Sequence, residues 1–340
     1  MGASSFTTRA GRTLAFTSLG FGGAPLGNMH RALSDAEAEA TVAAAWDGGA
    51  RYFDTAPLYG HGLSETRIGR ALAGLPRDAF VLSTKVGRGL EPCAPGEEGA
   101  GVYKATPPLR VAFDYTRDGV LRSYEASLAR LAVDRVDILY VHDLELRTHG
   151  GAYEARWREL TDGGGWQALD ELRAAGDVAA IGLGSNETVA CERVLAALDP
   201  DLFLLAGRYT LLEQAPLHGL LSDCQRRGVG VVIGGPFNSG VLVRAGGSFD
   251  YAAAPPQVLA RVAQLADVCA RFDVPLGAAA LQFCAAHPAV VSVIPGGQTP
   301  QEVADNAALM AAPVPAPLWA ALRDEGLIDA GAPVPEPVAC

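Results

Sequence analysis

The chain has 340 residues, with 27 lysines and arginines against 38 aspartates and glutamates, a net charge of −11 and a hydrophobic fraction of 49%. An acidic excess of this size argues against nucleic acid, which is held by clustered cations; small anions stay possible, because a helix N-terminus can bind them locally. No apolar run approaches the about 20 residues that span a bilayer, residues 1–16 lack the apolar stretch of a secretory signal, and the six cysteines (93, 191, 224, 269, 284, 340) contain no Cys-x-x-Cys pair and read as reduced thiols, so a cytoplasmic protein without a membrane partner is expected.

In chain order, residues 12–18 are expected to form a small strand or hairpin at the bottom of the fold. Short apolar runs follow at 19–24, 51–54, 81–85, 136–142, 179–185, 202–207, 231–234 and 290–295. Helical patterns lie at 34–48, 64–73, 116–131, 165–175, 187–198, 216–227, 255–287 (broken at Pro275) and 300–310. Near-continuous apolar strands alternating with amphipathic helices imply a parallel sheet covered by helices. Eight such units predict an α/β fold of the closed (β/α)8 TIM-barrel type. A doubly wound dinucleotide fold would need about six strands and a complete glycine-rich first turn, and Gly20-x-Gly22 and Gly182-x-Gly184 are only partial matches. The Gly/Pro-rich excursion at 89–113 is too long for an ordinary connection and is expected to be an active-site loop. After Met310 the tail carries prolines at 313, 315, 317, 333, 335 and 337 and is expected to wander over the surface. No repeat or linker divides the chain, so residues 1–340 are expected to form one domain.

Chemistry in a (β/α)8 barrel gathers where strands end. Four of these runs end in polar groups: Asp54, Lys85, His142 and the pair Ser185-Asn186. A strand-end histidine is often structural and an Asp there is often a helix cap, but the four together point to a site. Lys85 carries extra weight, because only it and Lys104 are lysines in a chain that otherwise uses arginine. An ammonium is a compact charge on a slim stem, able to approach another side chain closely. Its expected partner is Asp54, one strand over. Tyr59 follows five residues later; a cation beside its phenol would stabilise the phenolate and lower its pKa. With His142 facing the same oxygen, the set is suited to moving a proton at a carbonyl or alcohol.

Four segments, "YFDTAPLYGHGLSETRIGRAL", "VLSTKVGR", "DILYVHD" and "IGLGSNE", resemble the aldo-keto reductase superfamily, from about Leu19 to Met310. The resemblance implies a catalytic tetrad of Asp54, Tyr59, Lys85 and His142, with Tyr59 as general acid/base, and a nicotinamide cofactor lying extended across the barrel mouth. It places Gly22, Gly23 and Asp54 beside the cofactor, Ser185 and Asn186 on its carboxamide, and Tyr209 stacked on its ring. "GGPFNSG" resembles the loop over the diphosphate, through Gly235, Pro236, Phe237, Asn238, Ser239 and Gly240. "IPGGQTPQEVADN" resembles the adenosine site, through Gly296, Gly297, Gln298, Thr299, Glu302 and Asn306. Relatives that use NADP often carry a cation where this chain has Gly296 and Glu302, so NAD is expected over NADP. Ala206 stands where many relatives place a glutamine. "LLAGRYTLLEQ" and "FDYTRDGVLRSYEASLARL" resemble the branch with aldose 1-dehydrogenases (L-fucose or D-threo-aldose type) and pyridoxal 4-dehydrogenase. That branch implies a sugar or aldehyde substrate, its anomeric hydroxyl between Tyr59 and His142, with Asp143 reaching ring hydroxyls or capping the next segment.

Two other classes compete. A metal-dependent hydrolase would show a His-x-His pair, and the histidines at 30, 61, 142, 149, 218 and 287 contain none; no metal is expected. A sensor that kept the fold and lost catalysis is the other; the intact tetrad weighs against it. The oligomeric state is not legible.

Overall fold

The computed structural model describes residues 2–244 and 247–336. Eight parallel strands form one sheet: β1 (Phe21–Gly22), β2 (Tyr52–Asp54), β3 (Val81–Val86), β4 (Ile138–His142), β5 (Ala180–Ser185), β6 (Leu202–Ala206), β7 (Gly230–Gly234) and β8 (Val290–Ile294). The last strand returns to the first. Leu19 bridges Val293 and Gly22 bridges Gly296 in parallel, and the Val293 amide donates to Ser18 O at 2.9 Å while Gly20 donates to Val293 O at 2.9 Å. The predicted (β/α)8 barrel is therefore the fold. β1 is shorter than the apolar run that predicted it, its neighbours making only isolated bridges.

The layering helices include α1 (Asp35–Asp47), α2 (Leu63–Leu72), α3 (Arg117–Leu131), α4 (Gly165–Ala175), α5 (Thr188–Ala197), α6 (Leu220–Arg227), α7 (Pro256–Arg271), α8 (Leu276–Ala285) and α9 (Pro300–Ala311). The break expected at Pro275 separates α7 from α8. α1 starts at a complete capping box, Ser34 accepting from Glu37 N and Glu37 bonding back.

Side chains alternate along each strand. Phe53, Leu82, Leu139, Val141, Ile181, Leu183 and Phe203 pack outward under the helices. Tyr52, Val81, Ile138, Tyr140, Ala180, Leu202 and Leu204 fill a second, inner cluster with Leu14 and Phe16. Those last two lie on the predicted 12–18 segment, which pairs as Thr13–Thr17 with Ala3–Thr7 in an antiparallel hairpin. Period two then sets the next inward position on three strands, Asp54 after Tyr52, Lys85 after Val81 and Ser83, and His142 after Tyr140. Parallel register keeps them at one end: Asp54 pairs with Ser83, Lys85 with Tyr140 and His142 with Gly184.

Two segments carry more regular structure than the sequence revealed. The 89–113 excursion is built on an antiparallel hairpin, Arg88–Pro92 with Leu109–Phe113, and it folds back so that Tyr103 bridges Met29 and sits 6.5 Å, ring to ring, from Tyr59. The tail does not wander. It forms α10 (Ala316–Asp324), which buries Leu318, Trp319 and Leu322, and Leu327 and Ile328 bury beyond it. The prolines permit this because Pro313 and Pro315 precede the helix and Pro317 lies in its first turn, where no intrahelical N–H bond is lost. Pro337 and Cys340 lie outside the described residues.

Among the described residues no single helix is long and apolar enough to cross a membrane, although the bent pair α7–α8 would pass by length and composition.

Candidate active site

Lys85 and Asp54 meet inside the barrel with side chains 1% and 3% exposed, Nζ to Oδ2 at 2.7 Å. Lys85 also donates to Thr55 O at 2.8 Å, and Ser83 Oγ donates to the other Asp54 oxygen at 2.7 Å. The Ser83 hydroxyl lies 3.0 Å from Tyr52 OH, and each Asp54 oxygen has a donor, as a buried charge requires. Lys85 reaches Asp54 on the adjacent strand β2, and its stem lies near Gly184 of β5, where a Cβ would stand 3.4 Å from Lys85 Cε.

Tyr59 is half-buried above this pair. Lys85 Nζ lies 4.6 Å from the centroid of its ring and His142 stands edge-on at 5.8 Å. A tight turn aims it: Gly60 has φ +66, and a Cβ there would come within 2.3 Å of Gly27 O, so both backbones need glycine to approach this closely.

The electrostatics correct one expectation. Burial, and after it the Asp54 carboxylate, push the Tyr59 phenol well above its ordinary 10.0 rather than below. Asp54 neutralises the cation that was to stabilise a phenolate, and the ring's burial then decides the sign. Burial, Arg88 and Lys85 push His142 well below 6.5, so the imidazole is neutral; its Nδ1 is buried without a protein partner among the described residues.

Asp143 follows His142 with a left-handed φ of 46. One of its oxygens pairs with Arg88 at 3.0 Å and lies 3.6 Å from His142 Nε2; the other accepts from Asn186 Nδ2 at 3.2 Å. Burial pushes its carboxyl up to about 6. Arg88 is thus a member of the site that the sequence did not single out, although it ends the "VLSTKVGR" segment.

A cleft leads away from these residues. Asp54, Tyr59 and Gly22 line its inner part, Asn186, Ala206 and Gly207 one wall, residues 234–240 its roof with Asp250 and Tyr251, and Gly296, Gly297, Gln298 and Glu302 its outer part at the start of α9. Arg208 ties wall to roof, donating to Asn186 O at 2.7 Å and to both Asp250 oxygens at 2.9 Å. Asp250 and Tyr251 form the left-handed turn of a small hairpin, Ser248–Phe249 with Ala252–Ala253, which the sequence did not reveal.

Several expected cofactor residues are placed elsewhere. Tyr209 does not face the cleft: it is fully buried against Phe283 at 5.4 Å and His287 at 5.6 Å, under the helices. Gly207, at φ +67, turns the chain after β6 just before it. Ser185 is beside the wall, but its hydroxyl donates to Glu145 at 2.5 Å and accepts from Glu187 N at 3.0 Å. Gly23 packs on the Asp54 carbonyl, Thr299 caps α9, and Asn306 lies outside the cleft with its amide 3.4 Å from Gly296 O. Positions 296 and 302 carry no cation, but one reaches the outer end from another segment. Arg244 lines the cleft there and pairs with Glu302 at 2.8 Å, while the second Glu302 oxygen accepts from Gln298 N at 2.7 Å. Inspection of positions 296 and 302 alone could not find it, because Arg244 arrives from the loop after β7. His149, the next histidine along the chain after His142, has Nε2 2.9 Å from Tyr115 OH.

A barrel whose strand ends present an ion pair, a phenol and a neutral imidazole at the head of an elongated cleft defines a proton-handling site with room for an extended ligand. The chain belongs to the aldo/keto reductase family, whose model matches residues 18–324. Members of this family are oxidoreductases that use nicotinamide cofactors. The chain is 43% identical over 335 residues to a pyridoxal 4-dehydrogenase of Microbacterium luteolum, covering 94% of this chain and 96% of that one. It is 41% identical over 324 residues to a D-threo-aldose 1-dehydrogenase of a Pseudomonas species, covering 93% and 95%. A solved aldo-keto reductase of Bacillus halodurans, in its holo form, matches with a TM-score of 0.74 at 25% identity over 98% of each chain.

Proposed function

We propose that the protein is an NAD-dependent dehydrogenase that oxidises the anomeric carbon of an aldose to the lactone. The observation that carries this is the Lys85–Asp54 pair beneath Tyr59, at the head of a cleft whose outer end is closed by a carboxylate-neutralised arginine. The elongated cleft, its glycine-lined ends and its polar wall at Asn186 suit a dinucleotide, which when bound would supply a hydride acceptor. Asn186 would hold its carboxamide end, residues 235–240 its diphosphate, and Gln298 and Glu302 its adenosine end. Glu302 supports NAD over NADP: a 2′-phosphate would have to displace that carboxylate from Arg244, whereas a free 2′-hydroxyl can donate to it.

The substrate's hydroxyl would lie between Tyr59 and His142. The neutral imidazole of His142 offers a hydrogen bond without adding charge, and Tyr59 exchanges the hydroxyl proton. Because its phenol keeps its proton at neutral pH, Tyr59 is ready as an acid toward a carbonyl; toward a hydroxyl it must first release that proton, so oxidation accelerates as pH rises.

A screen of NADH formation over L-fucose, D-arabinose, L-galactose, other aldoses and pyridoxal tests the substrate. Turnover of an aldose, rising with pH and falling at least about 1000-fold in Tyr59→Phe while NAD affinity changes little, is the expected result. Pyridoxal as the sole substrate would move the assignment to the chemistry named for the Microbacterium relative. Equal kcat/KM with NAD and NADP would remove the cofactor preference.

A further inference from the structure

The buried carboxylates around the barrel mouth mostly face a cation: Asp54 faces Lys85, Asp143 faces Arg88 and Glu65 faces Arg130. Glu145, 1% exposed, does not. Its partners are neutral donors: Ser185 Oγ at 2.5 Å, the Asn186 amide at 2.8 Å and Thr148 Oγ1 at 3.1 Å. A carboxylate removed from water without a counter-ion is costly, and two or three donated hydrogen bonds are what make it tolerable. Filling that space would need only an apolar side chain of similar volume, so packing does not explain the charge.

The donors do. Two of them are consecutive residues where β5 ends, and the second belongs to Asn186, whose side chain lines the cleft. Asn186 is then gripped on three sides: its N–H by Glu145, its C=O by Arg208 at 2.7 Å and its Nδ2 by Asp143 at 3.2 Å. With one Nδ2 hydrogen committed to Asp143, Oδ1 and the second Nδ2 hydrogen are left to accept from and donate to a ligand.

We propose that Glu145 is a positioning residue, whose carboxylate fixes the Ser185–Asn186 backbone and so aims Asn186 at the carboxamide of a bound nicotinamide. This rests on the placement of Asn186 given under Proposed function. The Ser185 hydroxyl, its proton committed to Glu145, works as part of the clamp.

The test compares NADH with ADP-ribose, which has the adenosine and diphosphate and lacks the nicotinamide, by calorimetric titration of the wild type, Glu145→Ala, Glu145→Gln and Asn186→Ala. Glu145→Ala and Asn186→Ala are each expected to weaken NADH about tenfold and to leave ADP-ribose within about twofold, the scale of one lost hydrogen bond. Glu145→Gln keeps an acceptor in place without the charge and should lose about two- to threefold for NADH alone. An equal loss of both ligands in Glu145→Ala, or none, overturns the proposal. Unchanged NADH binding in Asn186→Ala overturns the placement beneath it and the proposal with it. Should Glu145→Ala fail to fold, Glu145→Gln decides: a selective loss supports the clamp, and wild-type NADH affinity overturns it.

Discussion

Two ion pairs serve the same cleft at nearly equal lengths, 2.7 Å for Lys85–Asp54 and 2.8 Å for Arg244–Glu302. The first sits inside the barrel with side chains 1% and 3% exposed; the second sits at the rim with 69% and 36%. Equal distance therefore does not mean equal consequence. A buried pair is a commitment, because removing one member strands the other without water. An exposed pair is screened and contributes little to folding, which leaves it free to be exchanged for a ligand's charge.

The sharpest way to break this contrast is Asp54→Asn. It leaves the Lys85 ammonium buried without its counter-ion, facing only the neutral oxygens of the new amide and of Thr55, and is expected to lower unfolding free energy in urea by about 3–5 kcal/mol and to abolish turnover. A loss below about 1 kcal/mol would mean that water reaches the pair and that the interior is not dry.

Glu302→Ala addresses the rim. Stability should change by less than about 0.5 kcal/mol, while the freed Arg244 should raise the ratio of kcat/KM for NADP over NAD about tenfold, less so at high salt. An unchanged ratio would show that Arg244 does not meet the 2′ position.

The last contrast lies between these two regions, at Asp143, which is neither exposed nor paired as tightly. Its carboxyl is raised from 3.8 to about 6, so between those pH values the folded chain holds a proton that the unfolded chain releases, and stability falls as pH rises through that window. His142, lowered from 6.5, acts in the opposite sense: its contribution is lost as pH falls below 6.5. Asp143→Asn removes the first slope and leaves the second, so urea midpoints taken from pH 4 to pH 6.5 should rise more steeply with pH than in the wild type. Parallel curves would put Asp143 in contact with solvent.

The strand-end residues were legible because period two and parallel register are properties of the sequence pattern itself. Once Tyr52, Val81 and Ile138 are inward, Asp54, Lys85 and His142 must be inward too. Residues beyond the strand ends were not legible: Glu145, Arg208 and Arg244 reach the site through turns with no period, Arg88 opens the hairpin after β3, and Tyr209, placed by resemblance, is turned into the core past the left-handed Gly207. The sign of the Tyr59 shift was hidden for a different reason. Sequence places a cation near the phenol, but only packing reveals how far burial and Asp54 outweigh it. In the tail, prolines signalled a wandering segment where they in fact precede and open a buried helix.

The cation at the base of the site stands against the chain's composition. All but two of the 27 cationic side chains are arginines, yet the one that meets Asp54 is an ammonium, which donates to one carboxylate oxygen and one backbone carbonyl. A guanidinium brings five N–H donors in a rigid planar fork, more than those two acceptors can satisfy, so arginine's wide use elsewhere stops where the interior has few oxygens to offer.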